Sequence, residues 1–257
     1  MTTTAVSFLP SDFEPEDVQG SNVVIVDILR ASTTITHALA AGAALIRPCL
    51  TIDEARNVQQ QDTSSEGDDG SETSWLLGGE RKGVLIDGFD FGNSPTAYTA
   101  ELVSNRRIAF TTTNGTKALL RCRQADQILI GCFANLSAVA DQLAASSRPP
   151  HIVCAGTDGN VTGEDVLFAG ALVEKLAERS DRTPTDAARV ATSFWRYSGA
   201  AASQEARIQQ LRESQGGRNL IALGYDADIV CAAQMDSCPV VGHVSADGCI
   251  YALPAET

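Results

Sequence analysis

The sequence predicts an α/β protein, a three-layer α/β/α sandwich with a mostly parallel or mixed sheet. Short apolar segments alternate with helical patterns along the chain, and a polar or glycine-rich turn follows most of these segments. The 257 residues are 44% hydrophobic and 20% charged, which is sufficient for one large core. We therefore expect a single domain over residues 1–257. Several strand–turn–helix units share one layout, so two similar lobes are the alternative.

Strands are expected where short runs of aliphatic, mostly β-branched residues stand between polar turns. The first, Val23–Val26, is continuously β-branched and should be buried on both faces. The last two predicted strands can pair antiparallel, which allows a mixed sheet. In chain order we expect strands at 23–26, 44–46, 84–86, 108–110, 128–130, 152–155, 239–241 and 249–251.

Helices are expected between these strands, each beginning near a capping or turn residue. A helix of small residues over about 33–41 should end at Gly42. Thr51, with Glu54 three residues later, is typical of a capped helix start. Further helices are expected from about 116, from about 135, over 164–179 and over most of 185–212.

One segment, residues 59–74, has no apolar side chain and cannot support a core. We expect it to be a mobile polar loop inserted into the fold.

Charge and composition exclude several classes of protein. With 19 Lys and Arg against 32 Asp and Glu, the net charge is −13, and such a chain would repel the phosphate backbone of nucleic acids. No run reaches the roughly 20 apolar residues that cross a membrane. The first residues lack a basic start and an apolar core, so we expect a cytoplasmic protein without a signal peptide. The seven scattered cysteines are expected to be reduced, mostly buried thiols.

The polar turns after the strands form the predicted site, because the carboxyl ends of parallel strands gather at one edge of a sheet. We expect the turns after Val26, Ile86, Phe110, Ile130 and Ala155 to be neighbours.

The first of these turns contains four candidates. Asp27 directly follows a buried strand, where α/β folds place catalytic and metal-binding carboxylates, and it is also suited to act as a nucleophile. Arg30 offers a planar fork for phosphate or sulfonate oxygens. Ser32 and Thr33 add hydroxyl groups at the start of a helix. A helix cap and a structural ion pair are the equally open alternative.

The glycine-rich stretch 78–95 allows a ligand to approach the backbone closely. Glu80 and Asp90 are candidate metal ligands there, and Arg81 and Lys82 are candidates to meet an anion. Two ordinary turns with solvated charges are the alternative.

The segment TTTNGTK, residues 111–117, has the composition of a phosphate-binding turn, although it lacks the glycine spacing of a Walker A loop. Asn114 and Gly115 also suit a plain turn. Lys117 falls in the first turn of a helix, where a cation opposes the helix dipole unless an anion is bound, and this favours a functional interpretation.

Glu164 and Asp165 begin a long helix, where acidic residues are favourable for the dipole alone. Together with Asp27 they are also suited to an oxygen-only site of the magnesium type. Other catalytic schemes lack their motifs: the sequence has no GxGxxG after the first strand, no GxSxG, no Cys-x5-Arg and no HExxH.

Several segments resemble, in order, the sequence blocks of the 2-phosphosulfolactate phosphatase family. They are VVIVDILRASTTITHALAAGA, GGERKG, GFDFGNSP, TTTNGTKAL, GCFANLSAVA, CAGTDGNVTGEDVLFAGAL and LGYDADIVCAAQ. The resemblance covers nearly the whole chain, and residues 59–74 are its main departure. It implies a magnesium-dependent phosphatase of α/β fold that hydrolyses 2-phospho-3-sulfolactate to 3-sulfolactate and phosphate, a step associated with coenzyme M biosynthesis.

Combining this resemblance with the turns assigns a role to each candidate. We expect Asp27, Glu164 and Asp165 to hold Mg²⁺, together with Asp90 or Glu80. The phosphoryl group is then bound by Arg30, Ser32, Thr33 and Lys117, and Arg81 or Asn114 meets the sulfonate or carboxylate beside Gly115.

The expected partner is a small anionic phosphorylated substrate, with no nucleic acid and no membrane. A homodimer is expected only from the general frequency of dimers. A different phosphorylated 2-hydroxy acid as substrate, or a non-catalytic anion-binding protein, are the alternatives.

Overall fold

The computed structural model describes residues 2–63 and 75–253 and confirms an α/β fold, in which helices flank a large mixed sheet. The strands are β1 Thr3–Ser7, β2 Asn22–Val26, β3 Leu45–Cys49, β4 Leu76–Arg81, β5 Val84–Leu85, β6 Arg107–Thr111, β7 Gln127–Gly131, β8 Pro150–Cys154, β9 Thr183–Pro184, β10 Gly242–Val244 and β11 Ile250–Ala252. The helices are α1 Ala31–Ala40, α2 Ile52–Thr63, α3 Ala100–Val103, α4 Gly115–Arg121, α5 Leu136–Ala145, α6 Gly163–Ala177, α7 Asp186–Tyr197, α8 Gln204–Glu213, α9 Gln215–Ala222 and α10 Asp226–Ala232.

The sheet consists of two parallel blocks joined by an antiparallel hairpin. Within the described ranges, the strand order is β5-β4-β6-β3-β11-β10-β7-β2-β8-β1-β9. One block is β4, β6 and β3, and the other is β7, β2, β8, β1 and β9. Three antiparallel pairings separate β3 from β7, so the two blocks run in opposite directions along the sheet.

The ends of β2 in one block and β6 in the other lie close together in the structure. Ile25 of β2 lines the same small cavity, of about 20 Å³, as Pro48 of β3 and Phe110 of β6. Beyond β6, Gly115 lies so close to Asp27 that a Cβ at this position would be 3.0 Å from Asp27 Oδ2. The carboxyl ends of β2 and β6 therefore meet although these strands belong to oppositely directed blocks.

The central strand β2 is buried on both faces, as predicted from its β-branched run. Val24 and Val26 belong to one core cluster with Phe168 of α6, and Val23 and Ile25 belong to a second cluster with α1. Burying each such side chain stabilises the fold by roughly 1.5–3 kcal/mol. Asp27 is thus attached to one of the most firmly held strands of the protein.

Most predicted elements are present with shifted bounds, but three predictions need correction. Helix α2 continues to Thr63, so residues 59–63 are helical, while 64–74 of the predicted loop lie outside the described residues. The strand predicted at 239–241 is wrong: pairing begins at Gly242, since Pro239 has no N–H to donate. The segment 84–86 supplies only the two-residue edge strand β5, and the main strand of this region is β4.

The seven cysteines are all free, and six of them are buried, as predicted. Across residues 2–63 and 75–253, no helix combines the length and the apolar character that a membrane crossing requires.

Candidate functional site

A cavity of about 370 Å³ lies where the turns after β2, β4, β6 and β8 converge beside α9. Of the residues predicted for the site, five line this cavity: Asp27, Arg30, Glu80, Lys82 and Asn114. The predicted convergence therefore holds for the turns after Val26, Phe110 and Ala155. The turn after Ile130 does not reach the cavity, and the loop after Ile86 reaches it only at Asn93.

Asp27 lies at the floor of the cavity with a nearly buried carboxylate. Its Oδ1 accepts a hydrogen bond of 3.1 Å from the Ala31 N–H, at the first turn of α1. Burial, together with the nearby negative charges of Glu80 and Glu164, raises the pKa of Asp27 to about 7, and the backbone N–H groups of Ala31 and Gly115 oppose this shift. Three carboxylates thus share one small region.

Glu164 lies in the first turn of α6, behind the wall that Gly216 contributes to the cavity. Its side chain is buried, and Oε2 has no hydrogen-bond partner among the described residues. Burial raises the pKa of this carboxyl. Gly216 is required for this approach, because a Cβ there would stand 2.3 Å from Glu164 Oε1. A buried carboxylate oxygen without a hydrogen-bond partner marks a position where an ion or an ordered water can bind.

Asp165, by contrast, uses both carboxylate oxygens to join two turns. Oδ1 accepts the Ile28 N–H at 2.9 Å, and Oδ2 accepts the Gly156 N–H at 3.0 Å. Burial and the neighbouring Glu164 and Asp27 raise its pKa well above the usual value. The structure thus places Asp165 outside the cavity lining, as a brace between the turns after β2 and β8.

Glu80 is the penultimate residue of β4 and holds the hairpin between β4 and β5. Its Oε1 accepts bonds of 2.9 Å from both the N–H and the hydroxyl of Thr113, and Oε2 accepts the Gly83 N–H at 2.6 Å. The turn residues Lys82 and Gly83 have φ values of 53° and 79°, as a two-residue type I′ hairpin requires. Lys82 consequently lies at the cavity lining.

Arg30 is almost completely buried and held on three sides. Nη1 pairs with Asp228 Oδ2 at 2.6 Å, and Nη2 donates to the Gly83 carbonyl at 2.9 Å. The guanidinium carbon lies 4.4 Å from the centre of the Tyr225 ring, a cation–π contact. The Leu29–Arg30 peptide bond that precedes this side chain is cis.

Ser32 and Thr33 do not face the cavity but shape the turn after β2. Ser32 Oγ accepts the Asp27 N–H at 2.9 Å and donates to the Ile25 carbonyl at 3.2 Å. Thr33 Oγ1 donates to the Ile28 carbonyl at 2.8 Å. Both hydroxyls are therefore engaged in fixing the backbone on which Asp27 and Arg30 are presented.

Three further candidates, Arg81, Asp90 and Lys117, also lie outside the cavity lining. Arg81 donates to the Leu50 and Glu80 carbonyls and to Thr111 Oγ1. Asp90 accepts the Leu77 N–H at 2.7 Å, near the start of β4. Lys117 is exposed on α4. Gly115 is buried against Asp27, and the absence of a side chain allows this close approach.

Sequence reasoning missed Asp228 and Tyr225, which hold Arg30, and the α9 residues Asn219 and Leu220, which close the cavity. The one available signal was an acidic residue inside the helical block LGYDADIVCAAQ, followed directly by aliphatic residues. The sequence gives no indication that this helix packs against a turn about 200 residues earlier.

Comparison with known proteins identifies relatives along nearly the whole chain. A sequence model of the family described as 2-phosphosulpholactate phosphatase matches residues 7–247. A protein of Symbiobacterium thermophilum is 39% identical over 228 residues, which cover 88% of this chain and 92% of the relative. A protein of Caldanaerobacter subterraneus subsp. tengcongensis is 35% identical over 225 residues, 88% of each chain. One of Synechococcus sp. is 38% identical over 234 residues, 88% of this chain and 90% of the relative. All three are named probable 2-phosphosulfolactate phosphatase.

Proposed function

Because the chain belongs to the 2-phosphosulpholactate phosphatase family, we propose that it is a phosphoric monoester hydrolase acting on 2-phospho-3-sulfolactate. The products would be 3-sulfolactate and phosphate. The observation that carries the proposal is the convergence of Asp27, Arg30, Glu80 and Asn114 on one cavity. Its volume of about 370 Å³ lies in the range of small-molecule sites.

The cavity contains both acidic groups and hydrogen-bond donors. The substrate carries a phosphate, a carboxylate and a sulfonate, and the carboxylates of Asp27, Glu80 and Asp158 in the lining would repel these groups. Binding therefore depends on the cations and donors of the same lining. Arg30 and Lys82 are the cations in the lining of the described cavity, and Thr112 and Thr113 add hydroxyl groups beside the amide of Asn114. In our proposal Arg30 and Asn114 bind the phosphoryl group, and Lys82 meets the second anionic group of the substrate.

The residues also fit a magnesium ion. Mg²⁺ is commonly held by one or two carboxylates, with waters and substrate phosphate oxygens completing its shell. Asp27 and Glu164 are the ligands we propose, because Glu164 Oε2 is buried without a partner and Asp27 shares its negative surroundings. In residues 2–63 and 75–253 no group of three or more His, Cys, Asp or Glu side chains could hold a metal ion, so water and substrate would complete this site. When bound, the ion would neutralise charge on the phosphoryl oxygens.

Two routes of phosphoryl transfer are compatible with Asp27. In the first, water attacks phosphorus directly. In the second, an Asp27 oxygen forms the bond to phosphorus while the ester P–O bond breaks and sulfolactate leaves with the electron pair and takes up a proton; water then releases phosphate. Acid quenching during turnover, followed by borohydride reduction, distinguishes the routes, since only an aspartyl phosphate is converted to homoserine at position 27.

The experiment that tests the proposal is phosphate release from 2-phospho-3-sulfolactate, with and without Mg²⁺, beside phosphoglycolate and phospholactate. Magnesium-dependent release that is fastest for the sulfonated ester supports the substrate and the metal. Faster release from another ester retains the phosphatase and rejects the substrate. No release from any ester favours a non-catalytic anion-binding protein. A role in coenzyme M biosynthesis, a cytoplasmic location and a homodimer stay predictions.

A further inference from the structure

We propose that Asp228 is a positioning residue that holds the Arg30 guanidinium for binding of the phosphoryl group, an inference that rests on the proposed phosphatase function. Asp228 lies on α10, and its side chain is 3% exposed, against 2% for Arg30. The bond between Arg30 Nη1 and Asp228 Oδ2 is 2.6 Å long, which is short for a charge-assisted pair. Both members of the pair are therefore largely shielded from solvent.

The carboxylate of Asp228 is itself fixed in orientation. Ser94 Oγ donates to Asp228 Oδ1 at 2.6 Å, so both carboxylate oxygens are engaged, one with the hydroxyl and one with Arg30. Ser94 directly precedes the short helical turn Pro95–Ala97. A supporting partner of this kind determines the direction of a functional side chain without contacting the ligand.

Three contacts determine the plane of the Arg30 guanidinium. Asp228 holds Nη1, the Gly83 carbonyl holds Nη2, and the Tyr225 ring lies over one face. A guanidinium has five N–H donors, so donors remain for the cavity that Arg30 lines.

Without Asp228, the carboxylates of Asp27 and Glu80, which line the same cavity, are among the acidic groups left as partners for Arg30. An Arg30 that turned towards either of them would compete with the Mg²⁺ and substrate groups that we assign to this region. Asp228 does not line the cavity, so it offers Arg30 a hydrogen-bond acceptor outside the lining and keeps the guanidinium available to substrate oxygens.

The test compares Asp228→Ala, Asp228→Asn and Ser94→Ala with Asp226→Asn as the matched control. Asp226 stands two residues away on the same helix and pairs with Arg212, but both side chains of that pair are substantially exposed. Affinity for inorganic phosphate is measured by calorimetry in the full-length protein, and kcat and KM are measured with 2-phospho-3-sulfolactate.

We expect Asp228→Ala to weaken phosphate binding and to lower kcat/KM by about 10- to 100-fold. Asp228→Asn should stay within a few-fold of wild type, because its amide oxygen can accept from Arg30 while its N–H₂ donates to Ser94 Oγ. Ser94→Ala should fall between them, and the Asp226→Asn control should match wild type. Recovery by the isosteric Asn is the result that a role in positioning requires.

Three results would overturn the inference. If folded Asp228→Ala binds phosphate as wild type does, and only the fraction of active protein falls, the pair is merely structural. If Asp228→Asn loses as much as Asp228→Ala, the charge and not the position matters. Should Asp228→Ala fail to fold, unchanged phosphate binding by Ser94→Ala is the overturning result. Absence of turnover in wild type contradicts only the proposed function, because phosphate binding is measured independently.

Discussion

Replacement of Asp27 by Asn should stabilise the ligand-free protein at neutral and alkaline pH, even though Asp27 is a candidate catalytic residue. Burial and the carboxylates of Glu80 and Glu164 raise the pKa of Asp27 from 3.8 to about 7. In the unfolded chain the side chain has its ordinary pKa. Between these two values unfolding releases a proton, so this group makes the free energy of unfolding decrease as pH rises. The Asn variant lacks this decrease.

The magnitude follows from the separation of the two pKa values. About three pH units correspond to about 4 kcal/mol, at about 1.4 kcal/mol per unit. Asn retains an oxygen that can accept the Ala31 N–H but loses the bond from the Gly115 N–H, at a cost of about 1 kcal/mol. We therefore expect Asp27→Asn to exceed wild type by roughly 3 kcal/mol near pH 8, and to lie within about 1 kcal/mol of it near pH 4.

Urea unfolding at several pH values between these limits, without divalent cations, measures this difference by linear extrapolation. The matched control is Asp186→Asn, because the Asp186 side chain is fully exposed and should not change the pH dependence. Added Mg²⁺ should stabilise wild type and have little effect on the Asn variant. A variant that is equally or less stable than wild type near pH 8 would refute the argument that Asp27 is buried without charge compensation.

Three further predictions concern the substrate, the metal and the packing. Lys82→Ala should raise KM for 2-phospho-3-sulfolactate about fivefold, because a solvent-exposed ion pair contributes up to about 1 kcal/mol. KM for phospholactate, which has no sulfonate, should stay unchanged. Equal effects on both esters would contradict a contact between Lys82 and the sulfonate. Glu164→Gln keeps the side-chain shape and should weaken Mg²⁺ binding at least about tenfold in calorimetry, whereas unchanged affinity would remove Glu164 from the ligands. Gly170→Ala should lower the free energy of unfolding by about 1–3 kcal/mol, because overpacking separates helices α6 and α7. The added Cβ would stand 2.1 Å from the Ala191 carbonyl oxygen, so an unchanged urea midpoint would contradict this packing.

The parts of the site that follow a single strong local pattern could be predicted from the sequence. The β-branched run ending at Val26 places Asp27 at a strand end, and the long helix predicted over 164–179 is present as α6. The short hydroxyl side chains of Ser32 and Thr33 satisfy turn geometry and ligand binding equally well. Their role was therefore undetermined until their hydrogen bonds were known.

Other parts depend on tertiary contacts that no local pattern encodes. The glycine pattern predicts a turn at Gly78 and Gly79, but both residues lie within strand β4. A Cβ at Gly79 would stand 2.1 Å from the Thr111 carbonyl oxygen, so β6 leaves no room for a side chain. The pair of Arg30 with Asp228 joins residues 198 positions apart and could not be deduced without the fold.

Formation of the cavity depends on the hairpin of β10 and β11. None of its residues lines the cavity, yet it joins the two oppositely directed blocks whose strand ends form the cavity walls. It also follows every cavity residue in the chain, so a fragment that stops before residue 242 contains all of these groups without the element that joins the blocks. Ligand affinity would then be a property of the completely folded chain, and anion binding would protect amides in both blocks from hydrogen exchange together.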